Sequence, residues 1–164
     1  MKTKDLVYIG MYTTLFMVVD YMTNTIAFFR MPNGGTIGLS TLVLLVASYQ
    51  LGWKKGVLIS WLSIVVQFIT GPMYIPHILG LLLDYVLAFS VYGLASQFPN
   101  YGYVYTGVFI TNIIRYLFHS IGGVLVWETD LIASFIYNAT YMLPTMLLGV
   151  ILVPIIHKRL TNIN

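Results

Sequence analysis

Cysteine is absent from the 164 residues, which excludes a disulfide framework and any thiolate metal site and leaves the redox compartment open. Charge is scarce as well. Asp, Glu, Lys and Arg make up 8% of the chain, against roughly 25% in soluble domains, and the formal charge of +3 is too small to suggest nucleic acid as a partner. The familiar catalytic signatures are missing too. There is no G-x-x-x-x-G-K-[ST] stretch with which the chain itself would hydrolyse ATP, no H-E-x-x-H and no G-x-S-x-G. His77, His119 and His157 lie far apart, with no two-histidine metal spacing. No internal repeat is evident, which weighs against an inverted-repeat secondary transporter.

What remains is apolar sequence. Hydrophobic residues make up 59% of the chain and the mean hydropathy is +0.86, the composition of an all-α integral membrane protein. At roughly 20 residues per crossing, the length allows about six transmembrane helices with short loops and no soluble domain, so residues 1–164 read as a single transmembrane domain. Six apolar runs fall at roughly 5–27, 36–52, 54–70, 77–97, 103–126 and 131–156. Turn signals separate them: Met31-Pro-Asn-Gly-Gly35, Gly52-Trp-Lys-Lys-Gly56, Gly71-Pro72 through Pro76, Pro99-Asn-Tyr-Gly102 and Glu128-Thr-Asp130. The first run follows Lys2 and Lys4 as a signal peptide would, but its length, its Asp20 and the lack of an A-x-A site make it a retained helix. With six crossings, Lys2, Lys4, Lys54, Lys55, Lys158 and Arg159 share one side, which the positive-inside rule makes the cytoplasm, with both termini there.

Polar groups inside apolar runs are costly and are functional hypotheses by default. The fifth run carries Asn112, Arg115 and His119, the latter two spaced to share one helix face. The fourth carries Asp84-Tyr85, and a bare carboxylate there must be paired or protonated. An ion pair between Asp84 and Arg115 would account for both residues, and His119 alone would pass for a hydrogen-bonded core histidine. Many of the 13 Tyr, nine Phe and three Trp are interfacial anchors, a reading that suits Tyr101, Tyr103, Tyr105 and Trp53. Tyr74, Tyr85, Trp127, Tyr137 and Tyr141 fall instead near the outer ends of helices three to six, close to the polar groups. Aromatic faces, a carboxylate, an imidazole and the amide of Asn138 together suit a flat, cationic, amine-bearing ligand. Gly10-xxx-Thr14 in the first run is a small-xxx-small spacing, equally suited to internal packing and to docking.

Gly52-Trp-Lys-Lys-Gly56, Leu82-Leu-Asp-Tyr-Val-Leu-Ala-Phe89, Arg115-Tyr-Leu-Phe-His-Ser-Ile-Gly-Gly123 and Ile136-Tyr-Asn-Ala-Thr-Tyr-Met-Leu-Pro144 resemble, in order, the thiamine-specific S component (ThiT family) of energy-coupling factor (ECF) transporters. The resemblance runs from about Gly10 onward. It implies an S-component-like bundle of six helices in a prokaryotic cell membrane that captures thiamine from outside and has no transport or enzymatic activity alone. It implies partners as well: an ECF transmembrane subunit and two ATPase subunits, the only users of ATP, so that thiamine is a bound substrate and no cofactor is needed. By the same resemblance, Asp84 meets the aminopyrimidine and Tyr85, His119, Trp127 and Asn138 complete the pocket, while Gly10 and Thr14 are the docking positions; Tyr74 joins the expected site by its place near the polar groups. Arg115 is expected to neutralise or orient groups such as Asp84 rather than to touch a cation.

Two departures stand out. Some members carry Glu where Asp84 stands, so a shifted ligand or a water must fill one methylene, and Ala133 stands where others place a Tyr. The loop between the first two helices supplies an aromatic lid in relatives, with Phe28 or Phe29 as the candidates. Rival readings are an S component for a thiamine precursor or other aminopyrimidine, and a stand-alone proton-coupled vitamin carrier using Asp84, Arg115 and His119.

Overall fold

The computed structural model describes residues 2–26, 30–32, 34–70 and 73–163. Phe28 and Phe29 lie outside the described residues. Six helices follow one another: α1 (Thr3–Thr25), α2 (Leu39–Leu51), α3 (Trp53–Thr70), α4 (Ile78–Gly93), α5 (Thr106–Leu125) and α6 (Leu131–Ile163). Three of them, α1, α5 and α6, are long and apolar enough to cross a membrane. A short hairpin, β1 (Asn100–Tyr101) against β2 (Val104–Tyr105), joins α4 to α5.

The bundle is built around α2. Every residue from Ser40 to Ser48 is buried, as expected of a helix that is apolar all round, and α1, α3, α4 and α6 surround it. At 13 residues it is about 20 Å long, short of the roughly 30 Å of a bilayer core. The missing depth is supplied by extended backbone at 34–38, where helix was expected from 36. Irregular backbone at such depth must line a cavity or be buried in protein with its polar groups satisfied. Here the Gly38 N–H donates to Thr145 Oγ1 at 2.9 Å and the Gly35 N–H to the Tyr137 hydroxyl at 3.3 Å.

Glycine sets two tight features. Gly52, at φ 84°, ends α2 and lets α3 begin one residue later. Gly56 lets α3 cross α4 closely, because a Cβ there would stand 2.8 Å from the Gly93 carbonyl oxygen. The Gly52–Gly56 connection is thus a packing device, and Ser48 donates to the same Gly93 carbonyl at 2.7 Å.

Two further features of the helices depart from expectation. The last helix does not stop near 156 but continues to Ile163 through Pro144 and Pro154. Each proline removes one backbone donor, and beside Pro144 the Thr145 hydroxyl donates to the Tyr141 carbonyl at 2.7 Å. Within α4, Leu81–Leu87 widens into a π-helical turn, a geometry concentrated at functional sites.

The lysines gather at one end. Lys55 pairs with Asp5 at 2.6 Å, and Lys158 Nζ lies 3.5 Å from the centre of the Tyr103 ring. Tyr105 is not an interfacial anchor. It is buried there, its hydroxyl 2.8 Å from Nδ1 of His157 and its ring against Tyr49, because the β2 strand turns it inward under the end of α6.

Candidate functional site

At the end opposite the lysines lies a cavity of about 960 Å³. Its walls come from the ends of α1, α3 and α5, the beginnings of α4 and α6, and the extended segment before α2. The six residues expected at a ligand site, Tyr74, Asp84, Tyr85, His119, Trp127 and Asn138, all line it.

The π turn sets the α4 wall. With the wider i to i+5 hydrogen bonding of this turn, Asp84, Tyr85 and, just beyond it, Phe89 all line the cavity. On α5, Asn112, Arg115, His119 and Gly122 follow the helical stripe that faces inward. Gly122 is needed where α5 meets α4, since a Cβ there would lie 2.7 Å from Asp84 Oδ1.

Asp84 does not pair with Arg115. The imidazole of His119 stands between them: Arg115 Nε–H donates to His119 Nε2 at 3.1 Å, and His119 Nδ1 is 3.1 Å from Asp84 Oδ1. Because Nε2 accepts from a guanidinium, the proton of this neutral ring belongs on Nδ1, from which it is donated to the carboxylate. The guanidinium is fixed from its other side as well. Its Nη1 donates to the Tyr92 hydroxyl at 3.3 Å, which donates in turn to Asn112 Oδ1 at 2.8 Å. Its Cζ lies over aromatic faces, 4.6 Å from the Phe89 ring centre and 5.2 Å from that of Tyr92. Arg115 therefore acts on Asp84 through His119, holding the carboxylate toward the cavity.

The α6 wall presents an amide. Asn138 Nδ2 donates to the Ser134 carbonyl at 2.9 Å and its Oδ1 accepts from the Tyr141 hydroxyl. Nδ2 also reaches the His119 carbonyl and Ser134 Oγ, each at 3.4 Å, so what remains for a ligand is the second lone pair of Oδ1. The Tyr141 ring stands edge-on to His119 with centroids 6.3 Å apart. At the mouth the Tyr74 and Trp127 rings stack, 5.4 Å apart and 26° from parallel, and the Tyr74 N–H donates to the Tyr85 hydroxyl at 3.3 Å. Asp130 is a helix cap rather than a cavity group: its Oδ1 accepts from the N–H groups of Ile132 and Ala133 at 3.0 and 3.1 Å.

Asp20 went unassigned on sequence grounds. It is buried on the cavity wall, its Oδ1 accepting from Ser40 Oγ at 2.8 Å and its Oδ2 from Asn24 Nδ2 at 3.0 Å. The signal was available, because Asp20 continues the buried stripe of Ile9, Tyr12 and Phe16 and is followed on it by Thr23. Gly10 and Thr14 lie on the opposite, exposed face of α1. A Cβ at Gly10 would meet nothing within 4 Å, so no helix among the described residues packs closely on this position.

A cavity with carboxylate, imidazole, amide and aromatic walls fits a flat cationic amine, and comparisons with known proteins point the same way. The sequence model of a family described as Thiamine transporter protein matches residues 6–164. A curated relative from Bacillus subtilis (strain 168), Thiamine transporter ThiT, is 28% identical over 168 residues, an alignment covering 87% of this chain and 84% of the relative.

Proposed function

Since the chain belongs to the thiamine transporter family, we propose that it is the thiamine-capturing S component of an ECF-type importer, one transmembrane domain of six crossings with both termini in the cytoplasm. The observation that carries this reading is the chain from Arg115 through His119 to Asp84, which aims a carboxylate into an aromatic-walled cavity on the side away from the lysines. Asp84 accepts from the exocyclic amine of the aminopyrimidine. The spare lone pair of Asn138 Oδ1 faces the pyrimidine edge, while the faces of Tyr85, Trp127 and Tyr74 and the imidazole of His119 enclose the rings. Preorganised groups of this kind give tight binding without chemistry, because little ordering is left to be done when the ligand arrives.

Release to the cytoplasm then depends on a partner that hydrolyses ATP, since this chain has no phosphate loop. The docking surface for the partner's transmembrane subunit is the outer face of α1 at Gly10 and Thr14, where small side chains leave room for a close helix approach. The remaining outer surface faces lipid.

The test is a titration of the purified protein with thiamine, followed by tryptophan fluorescence. Of Trp53, Trp61 and Trp127, only Trp127 lines the cavity, so saturable quenching below micromolar thiamine is expected. No saturable change in that range overturns the thiamine assignment.

A further inference from the structure

The charges around the cavity do not balance. Asp20 on α1 and Asp84 on α4 are two carboxylates in the lining, and Arg115 is the one buried guanidinium among its described residues. Arg30 also borders the cavity but is exposed at its mouth, where water screens it. Both oxygens of Asp20 are hydrogen-bonded, one to Ser40 and one to Asn24. Both partners are neutral. The N–H groups of Arg115 go to His119 and Tyr92 instead. Its guanidinium is within electrostatic reach of Asp20, but one cation cannot neutralise two carboxylates. An ionised Asp20 beside Asp84 therefore leaves one buried negative charge that is costly until a cation compensates it.

Thiamine supplies the missing charge, because its thiazolium nitrogen is quaternary and carries one permanent positive charge. Asp84 is held by His119 toward the amine-bearing ring. The part of the wall formed by Asp20 on α1 and Ser40 on α2 is left for the other ring. On the thiamine reading given above, we infer that Asp20 is the counter-charge for the ligand's cationic ring and sets the preference of this cavity for a monocation over a neutral molecule of the same shape.

The experiment compares thiamine with its neutral isostere, in which a thiophene carbon replaces the quaternary nitrogen, on full-length wild type, Asp20→Asn and Asp20→Glu. Wild type is expected to prefer thiamine by about tenfold or more, the scale of one charge pair in a partly desolvated site. Asp20→Asn, which keeps the Ser40 hydrogen bond, loses that preference: thiamine weakens by about tenfold or more while the isostere changes by less than about threefold. Asp20→Glu keeps the preference. Undiminished preference in Asp20→Asn, or equal loss of both ligands in a variant that still unfolds cooperatively, overturns the assignment. Should Asp20→Asn not fold, equal affinity of wild type for the two ligands overturns it just as well. Wild type that binds neither ligand overturns the thiamine reading itself, a result distinct from the others.

Discussion

Gly122→Ala isolates the geometry of Asp84 without touching its charge. The new methyl carbon would stand 2.7 Å from Asp84 Oδ1 and 3.4 Å from its Cγ, whereas carbon and oxygen in contact need about 3.3 Å or more. The oxygen must therefore retreat by about 0.6 Å, and it is the oxygen that His119 Nδ1 holds at 3.1 Å. A bond stretched beyond about 3.5 Å no longer counts as one. Hydrogen bonds to charged groups contribute about 1.5–3 kcal/mol, so if thiamine reads the held carboxylate, its affinity falls by roughly ten- to a hundredfold. Stability changes far less, because alanine is favoured over glycine in a helix by about 0.5–1 kcal/mol and the displaced carboxylate still faces the cavity. The assay is the fluorescence titration on wild type and variant, with thermal unfolding in detergent as the control. A double cycle with His119→Asn should be strongly non-additive, since both changes break one interaction. Gly122→Ala protein that folds and binds thiamine within about twofold of wild type would refute the reasoning.

Three further outcomes are expected. Asp84→Asn weakens thiamine binding far more than Tyr103→Phe, measured by the same titration, because Tyr103 lies at the opposite end under Lys158. Tyr105→Phe removes the partner of His157 and costs about 1–3 kcal/mol in an unfolding measurement, with the thiamine affinity unchanged. Gly10→Leu leaves binding intact, since its site is exposed and open, but abolishes thiamine uptake in vesicles that also contain the partner subunits and ATP.

Much of the architecture was legible because the apolar runs are separated by strong turn signals, and Gly52 and Asp130 do at those turns what glycine and aspartate do best. The grouping of Asp84, His119 and Asn138 on one cavity was legible for a related reason: polar side chains in apolar helices must find one another. Other features depend on tertiary context. The π turn over Leu81–Leu87 has no signature in a stretch of leucines, since a single wider turn is chosen by what it packs against. The extended backbone at 34–38 is made possible by Tyr137 and Thr145, more than a hundred residues away. The direct pairing of Asp84 with Arg115 was a reasonable expectation from charge alone, but the side chain four residues beyond Arg115 on the same helix lies closer to the carboxylate and takes its place. Tyr105 looked like an anchor because two exposed tyrosines precede it, and only the turn of the hairpin distinguishes it from them.

A structure of the protein with thiamine bound tests the central claim most directly. The account predicts the vitamin in the cavity at the end away from the lysines, its exocyclic amine within hydrogen-bonding distance of Asp84, its rings against Trp127 and His119, and its thiazolium toward Asp20. Thiamine bound elsewhere, for instance in the apolar groove of α1, α2 and α6 lined by Tyr12 and Leu160, with this cavity empty, would contradict it.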